Sequence, residues 1–468
     1  PTVVAGALIV AVAVVVGVLA RPVWALVLLP FSIAFGSVAN VELGPVQVGP
    51  MEGLLALFFG SWLARGVARR ELHVGSLPLL LPFGLWLAAQ ALSLLAAASL
   101  LDSLAEMLKW SEMAALYMIA ARELRRRDVV MVVAAFLAAG ALSGVLGVVQ
   151  AVLEIGPPGF RFTLAGREYM RAYGTFLQPN PYAGHLGVTL PLAYGLAFGI
   201  FESGLWRTTS EPSPERRTFL SWLASRGTLL AGVAVCAGLM GLGLFFSLSR
   251  GAWIGAGLAA LAVSMTVSRR ALTASVAGSV AAVLFLALGG AALVPPGLRQ
   301  RATDFLPYIG VIDIRKVTLT PDNFALIERL AHWWAAFGMF GDSPWLGVGI
   351  GNYAKAYERY ALPLWSEPLG HAHNFYLNVA AEAGVIGLVA YLLFFGAALA
   401  FIWHTLRRAT GLPRAITVGC LGAFIHLAVH NFFDNLYVHG IYLQIALLLA
   451  IVAVLARTGA HEEPLRQA

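Results

Sequence analysis

Val385-Ile-Gly-Leu-Val-Ala-Tyr-Leu-Leu-Phe-Phe-Gly-Ala-Ala-Leu-Ala-Phe-Ile-Trp-His-Thr405 runs for 21 residues without a formally charged side chain. At about 1.5 Å of rise per residue, a helix of that length covers roughly 30 Å, the thickness of a bilayer's hydrocarbon core. Comparable apolar runs cover 2–20, 23–37, 51–67, 76–98, 103–121, 129–153, 182–201, 227–247, 251–267, 271–293, 414–432 and 437–456. Each is too long for a barrel strand and none alternates with period two. The expected fold is an all-α polytopic membrane protein with about 12–13 transmembrane helices.

The composition agrees. The chain is 59% hydrophobic and 12% charged, with mean hydropathy +0.79, and a soluble domain carries about twice that charge. The formal charge of +7 is mostly arginine. In a soluble protein it would raise nucleic acid as a partner, but here short-loop charge explains it and none is expected. Cys236 and Cys420 both lie in apolar runs and suggest neither a disulfide framework nor a metal site. No cleavable signal peptide is recognisable, and the chain opens on Pro1, so the natural start is expected upstream.

Loop charge gives the orientation. Arginine clusters at 65–70, 122–127, 207–226, 269–270 and 407–414 alternate with poorer loops at 38–50, 96–104, 154–181, 248–252, 294–384 and 433–437. The first set is expected in the cytoplasm and the second outside. Residues 1–293 then form the N-terminal part of the bundle, 294–384 a long outer loop and lid, 385–456 the last spans, and 457–468 a cytoplasmic tail.

A few arginines sit on the wrong side for this rule. Arg161, Arg167 and Arg171 precede Tyr173-Gly-Thr-Phe176, Arg250 stands in Ser247-Leu-Ser-Arg-Gly251, and Arg329 lies in the long loop. Within that loop, Asp322 or Asn323 can cap an amphipathic helix through Ile327, Leu330, Trp334 and Phe337, with Trp333 and Trp334 suited to the headgroup level. Gly341-Asp-Ser-Pro344 stops it. Gly347-Val-Gly-Ile-Gly-Asn352 makes a turn, and Asn352 can cap a second short helix with Tyr353, Tyr357 and Tyr360. Near the outer end of another span, Asp102, Glu106 and Lys109 share one helical face and are expected to pair.

His371-Ala-His373-Asn374 precedes a short apolar helix ending at Gly384. A helix N-terminus disfavours an imidazolium, so His373 is a candidate general base for a hydroxyl. Its alternative is an ordinary interfacial residue. A metal reading joins His371 and His373 to His430, Asp434 or Glu367, but the spacing fits no familiar zinc pattern and nearby arginines would compete with a cation. Arg171, Arg250 and Arg329 suit an anion clamp for a pyrophosphate, because guanidinium binds phosphate oxygens bidentately; a structural pairing with Asp342 or Asp434 is the alternative. His430-Asn-Phe-Phe-Asp434-Asn435 ends another span, where Asp434 can orient His373 or pair with an arginine.

As an ordered set, these residues resemble the O-antigen ligase-like superfamily of ligases, polymerases and O-linked protein oligosaccharyltransferases. The carrying features are Arg171-Ala-Tyr-Gly-Thr-Phe176 with Asn180, Ser249-Arg-Gly251, Arg329 with Trp333, Pro344-Trp-Leu-Gly-Val-Gly-Ile-Gly-Asn-Tyr353, and His373-Asn374 with nine residues before Gly384-Val-Ile-Gly387. They extend over roughly 160–440. The resemblance implies a GT-C-type bundle in the bacterial inner (plasma) membrane, working at its periplasmic or outer face on lipopolysaccharide or another polysaccharide. It implies a glycan donor on polyprenyl (undecaprenyl) pyrophosphate, and an acceptor hydroxyl on lipid A core, a growing glycan or a protein. It also implies inverting transfer with no metal or cofactor. The base of the family's His-Asn motif corresponds to His373, and its diphosphate-binding arginines to Arg171, Arg250 and Arg329; Asn374, His371, His430 and Asp434 stand as support. The rival class is a transporter for the same lipid-linked sugars, which would show inverted repeats and helices broken near the midplane. No repeat stands out.

Overall fold

The computed structural model describes residues 2–36, 41–43, 46–70, 76–164, 167–202, 226–303, 314–320 and 323–459. A helix lies on every one of the apolar runs named above. Among the described residues, six helices are long and apolar enough to cross a membrane: Arg126–Val152, Pro179–Ile200, Gly227–Phe246, Arg250–Val267, Phe375–Arg408 and Gly411–His430. Shorter apolar helices cover Ala11–Ala20, Val23–Phe35, Leu80–Ala96 and Ile441–Arg457. The fold is an all-α, polytopic membrane protein. The Leu100–Glu123 helix has the length of a span, but Asp102, Glu106, Lys109 and Glu112 keep it from being apolar throughout. Arg207, Arg216 and Arg217 and the tail beyond 459 lie outside the described residues.

Two antiparallel hairpins, Val41–Leu43 with Val46–Val48 and Arg161–Leu164 with Arg167–Met170, are the strands among the described residues. Composition offered no sign of them. The second occupies the 154–181 loop and hands the chain to the bundle through two backbone bonds, Arg171 N–H to Phe160 O (3.1 Å) and Ala172 N–H to Phe246 O (2.9 Å). Arg171 is thereby fixed at the end of the Arg226–Phe246 helix.

The Phe375–Arg408 helix organises the rest. Its first turn is capped by Asn374, whose Oδ1 accepts from Leu377 N–H at 3.1 Å. Nine residues on, Gly384 leaves helical geometry with φ +63° and ψ −165°. The short apolar helix ending at Gly384 and the span beginning at 385 are therefore two parts of one element joined by a break. The Pro344–Asn352 run fills that break: Val385 N–H bonds to Pro344 O (2.8 Å) and Val348 N–H to Ala381 O (2.9 Å). A Cβ on Gly384 would meet the Trp345 carbonyl carbon at 2.3 Å, and one on Gly347 (φ +65°) would meet the Glu382 carbonyl carbon at 2.3 Å. Glycine is needed at both because the two backbones touch.

The polar segment is tied to the bundle through the Asn352 side chain. Asn352 occupies the N-cap position of the Tyr353–Tyr360 helix, yet its side chain makes no capping bond. Its Oδ1 accepts from Ser99 N–H at 2.6 Å and its Nδ2 donates to Ser103 Oγ at 2.7 Å. Ile350 adds bonds to Ser93 Oγ and from Ser103 Oγ. The expected cap is thus replaced by a cross-brace, which satisfies buried groups on two elements at once. Asn323 likewise precedes the Phe324–Asp342 helix without capping it; its side chain bonds to Thr320 N–H and Thr318 O. Asp322 is outside the described residues.

Beneath Asn374 stands an aromatic pier. Phe375 packs on Tyr391 (centroids 4.9 Å) and Tyr437 (4.7 Å), Tyr437 on Trp110 (4.6 Å), and Trp110 edge-on to Trp86 (5.2 Å). Each such pair adds about 0.5–1.5 kcal/mol beyond the area it buries, so the first turn of the helix is held by rigid rings drawn from four elements.

Candidate active site

Two turns and a helix meet at this end of the bundle. The first is His371–Asn374. His373 takes a left-handed conformation, φ +51°, and its backbone N–H donates to His371 Nδ1 at 3.0 Å. An Nδ1 that accepts a hydrogen bond carries no proton, so neutral His371 holds its proton on Nε2. That Nε2 lies 3.7 Å from Asp434 Oδ1, and His373 Nδ1 lies 3.5 Å from the same oxygen. Asp434 is 5% exposed and each histidine side chain 17%.

The electrostatics follow from burial and from these neighbours. Burial alone would raise the Asp434 carboxyl, but His373, His371 and Arg329 outweigh it and hold the group well below the usual carboxylate range. Burial lowers His371 to about 4; His373, Arg329 and Lys109 add to this, while Asp434 opposes it. The turn therefore pairs a permanent carboxylate with a neutral His371 at pH 7. An Asp facing His373 Nδ1 orients that ring and leaves Nε2 turned away from the carboxylate.

The second turn is Ser247–Gly251, where Leu248 has φ +53°. Arg171 Nε donates to Ser247 O at 2.8 Å and its Nη2 to Asn180 Oδ1 at 3.0 Å. Arg301, 5% exposed, donates to Leu248 O through Nε (3.3 Å) and Nη2 (3.2 Å). Two guanidinium groups thus brace the turn that presents Arg250. A Cβ on Gly251 would come within 2.8 Å of Phe433 Cβ and 3.0 Å of the His430 ring, which is how the Arg250 turn lies directly against the Asp434 turn. Burial and then the charges of Arg301, Arg329 and Arg250 lower the Arg171 pKa, with Asp434 acting the other way. Four guanidinium groups repel one another here, and an anion among them relieves that repulsion.

The third element is the Phe324–Asp342 helix, which supplies Arg329. Its charge acts on Asp434, His371, His430 and Arg171. The same helix supplies two residues that sequence reasoning passed over. His332 is 1% exposed, stacks on Tyr357 (4.6 Å, 22°), meets His373 edge-on (5.6 Å) and shares a 3.1 Å hydrogen bond with Tyr353 Oη; burial, then His373 and His371, lower it to about 4. Glu328 is raised by burial, while His373 and Arg329 pull it down. The i, i+3 spacing of Arg329 and His332 was a readable signal.

Among the expected supports, Asn374 is the helix cap. His430 is 1% exposed and lies 3.5 Å from Ser249 Oγ and 3.4 Å from His426 Nε2. Asp342, one of the alternative arginine partners, bonds Arg359 (3.0 Å) and Tyr360 (2.9 Å). For a cation, the potential ligand atoms of His371, His373 and Asp434 all lie within 4.8 Å of one another; His430 and Glu367 do not join that group.

Residues 235–392 match the family described as O-antigen ligase, an interval that includes Arg250, Arg301, Arg329 and His373 but neither Arg171 nor Asp434. No curated protein matches the chain. Among solved structures, a chain from one described as "Structural coordination of polymerization and crosslinking by a peptidoglycan synthase complex" aligns over 81% of this chain and 96% of its own length, at 14% identity and TM-score 0.43, a likeness too distant to speak to function. Over residues 235–392, about a third of its length, the chain is thus similar to the O-antigen ligase family.

Proposed function

We propose that this chain transfers a glycan from a polyprenyl pyrophosphate donor to an acceptor hydroxyl at the outer face of a bacterial inner membrane, in the manner of an O-antigen ligase. The observation that carries the reading is the convergence of the Asp434–His373 pair, at 3.5 Å, with the charges of Arg171, Arg250, Arg301 and Arg329. Asp434 holds His373 Nδ1, and Nε2 takes the proton of the acceptor hydroxyl. The oxygen attacks the anomeric carbon, the bond from that carbon to the diphosphate breaks, and polyprenyl pyrophosphate leaves with its charge held by the arginines. A single displacement inverts the anomeric configuration. Residues 294–384 act as the lid. A polymerase adding to a growing glycan, or a transferase to protein Ser/Thr, would use the same groups.

A metal-dependent second reading is favoured by one observation, the compactness of His371, His373 and Asp434. The transporter reading looks for a broken helix, and the break at Gly384 qualifies in form. Its freed backbone groups, however, are taken up by Pro344 and Val348, not left open to a substrate.

The test is purified protein, a fluorescent polyprenyl-pyrophosphate glycan and candidate acceptors. Transfer is expected from the wild type, with product inverted at the anomeric carbon, and is expected to be lost in His373→Ala. Near-normal transfer by that variant would overturn the base assignment, and activity lost to chelator and restored by a divalent ion would favour the metal reading.

A further inference from the structure

A cleft of about 470 Å³ opens beside the histidine turn, within the range of small-ligand pockets. Gly370 and Phe375, which bracket His371–Asn374, form part of its wall, as does Asn435, next to Asp434. Asn378, also in the wall, accepts the Ala372 N–H at 3.0 Å, so the turn carrying the base is tied to a wall of the cleft. The remaining walls hold Asp102, Glu106 and Glu382, with Lys355 as the lining cation. Lys109 is paired to Glu106, and none of the four arginines lines the space.

The lining defines its occupant. The lining offers no arginine and only one cation, Lys355, so it holds no clamp for the donor's diphosphate. Carboxylates and amides accept and donate to vicinal hydroxyls, and the floor is aromatic, formed by Trp86, Trp110 and Phe375. Independently of the carboxylates, Trp86 is fully buried, lines the cleft, and its indole Nε1 has no hydrogen-bond partner, a donor lacking an acceptor. We propose that this cleft is the subsite for a neutral saccharide of the acceptor, held with its hydroxyls between Asp102, Glu106 and Asn378 and against the turn that carries His373. The proposal rests on the transferase reading for the word acceptor and on the cleft alone for the word saccharide.

The test is saturation-transfer NMR on the full chain in lipid nanodiscs, free of glycoside detergents. The probes are the methyl β-glycosides of glucose, galactose and N-acetylglucosamine. Ala105 and Ala354 line the cleft from two different helices and are exposed, so Ala105→Trp and Ala354→Trp each fill the space without entering a packed core. Wild type and His373→Ala are expected to saturate the ring protons of at least one glycoside. Both tryptophan variants, folded by thermal melt, are expected to fall to the level of empty nanodiscs. Signals absent from the wild type, or unchanged in both filled variants, would overturn the site, as would calcium binding abolished by filling with no glycoside signal. Glycoside binding by a wild type that forms no product would sink the transferase reading and leave the saccharide site standing.

Discussion

Asp434→Asn is the most informative single change. The Asn435 N–H bond to Asp434 Oδ1, at 2.9 Å, can be kept by the asparagine carbonyl, so the turn need not collapse. What is lost is a charge 3.5 Å from His373 Nδ1. When His373 takes the acceptor's proton it becomes an imidazolium, and the carboxylate stabilises that charge. At an effective dielectric of about 20 the interaction is worth about 5 kcal/mol, and in bulk water about 1 kcal/mol. With Asp434 buried, the first figure is the nearer, and each 1.36 kcal/mol is tenfold in rate. The turnover rate is therefore expected to fall by about three orders of magnitude. Asp434 sits among arginines, so removing its charge leaves the site more positive and does not weaken diphosphate binding. Single-turnover transfer from a fluorescent lipid-linked donor, titrated in donor, separates the two: kcat falls and donor KM stays the same or drops. A kcat within about twofold of wild type, or a defect confined to donor KM, would refute the orienting role.

Arg301→Ala should cost about 10- to 100-fold in kcat/KM for donor, the scale of a charged hydrogen bond, and its effect should not add to that of Arg250→Ala; simple additivity in the double variant would show that Arg301 does not act through the Ser247–Gly251 turn. Gly384→Ala places a Cβ against the Trp345 carbonyl at φ +63° and is expected to lose at least about 2 kcal/mol of stability, with faster proteolysis of 343–352; an unchanged melting temperature would count against the interlock. His371 and His332 are both held near 4 in the folded protein, below the unfolded value, so the stability they contribute is complete above about pH 6.5 and is lost as pH falls toward 4, up to about 3 kcal/mol each. Asp434, depressed in the native state, adds its own loss only below about pH 3.8. Melting curves in nanodiscs from pH 7 to 4.5 should show the first loss, flattened in His332→Gln; an equal slope in that variant would refute it.

Much of this was legible beforehand because a bilayer leaves few choices. The apolar runs located the helices, and Arg171, Arg250, Arg329 and His373 stood out as polar residues against the charge bias. The helix start just after His373-Asn374 was legible because its turn is local, and Asn374 proves to cap it. What stayed hidden depends on long-range contact. Arg301 carried no signal in the sequence, and only its bonds to Leu248 O bring it to the Arg250 turn. His332 lay inside an apolar helical face, where a histidine looks like core. Asn352 and Asn323 have the right residue type and position for caps, but their side chains found partners elsewhere, a competition that spacing cannot weigh. Asp102, Glu106 and Lys109 read as a pairing set; the Lys109–Glu106 pair formed, and the cleft beside it needed Glu382 and Asn378 from a distant helix.

The break at Gly384 has a mechanical consequence. The 34-residue helix is longer than a bilayer's hydrocarbon core requires, and long spans lean to match the thickness of the membrane around them. A continuous helix would carry that lean straight to its first turn and swing His373 away from Asp434. Here the part before Gly384 is pinned separately, by Phe375 N–H on Asn431 O at 2.8 Å and by Val348 on Ala381 O. The glycine thus divides the element, and the bonds that set the base against its carboxylate at 3.5 Å belong to the part before the break rather than to the span.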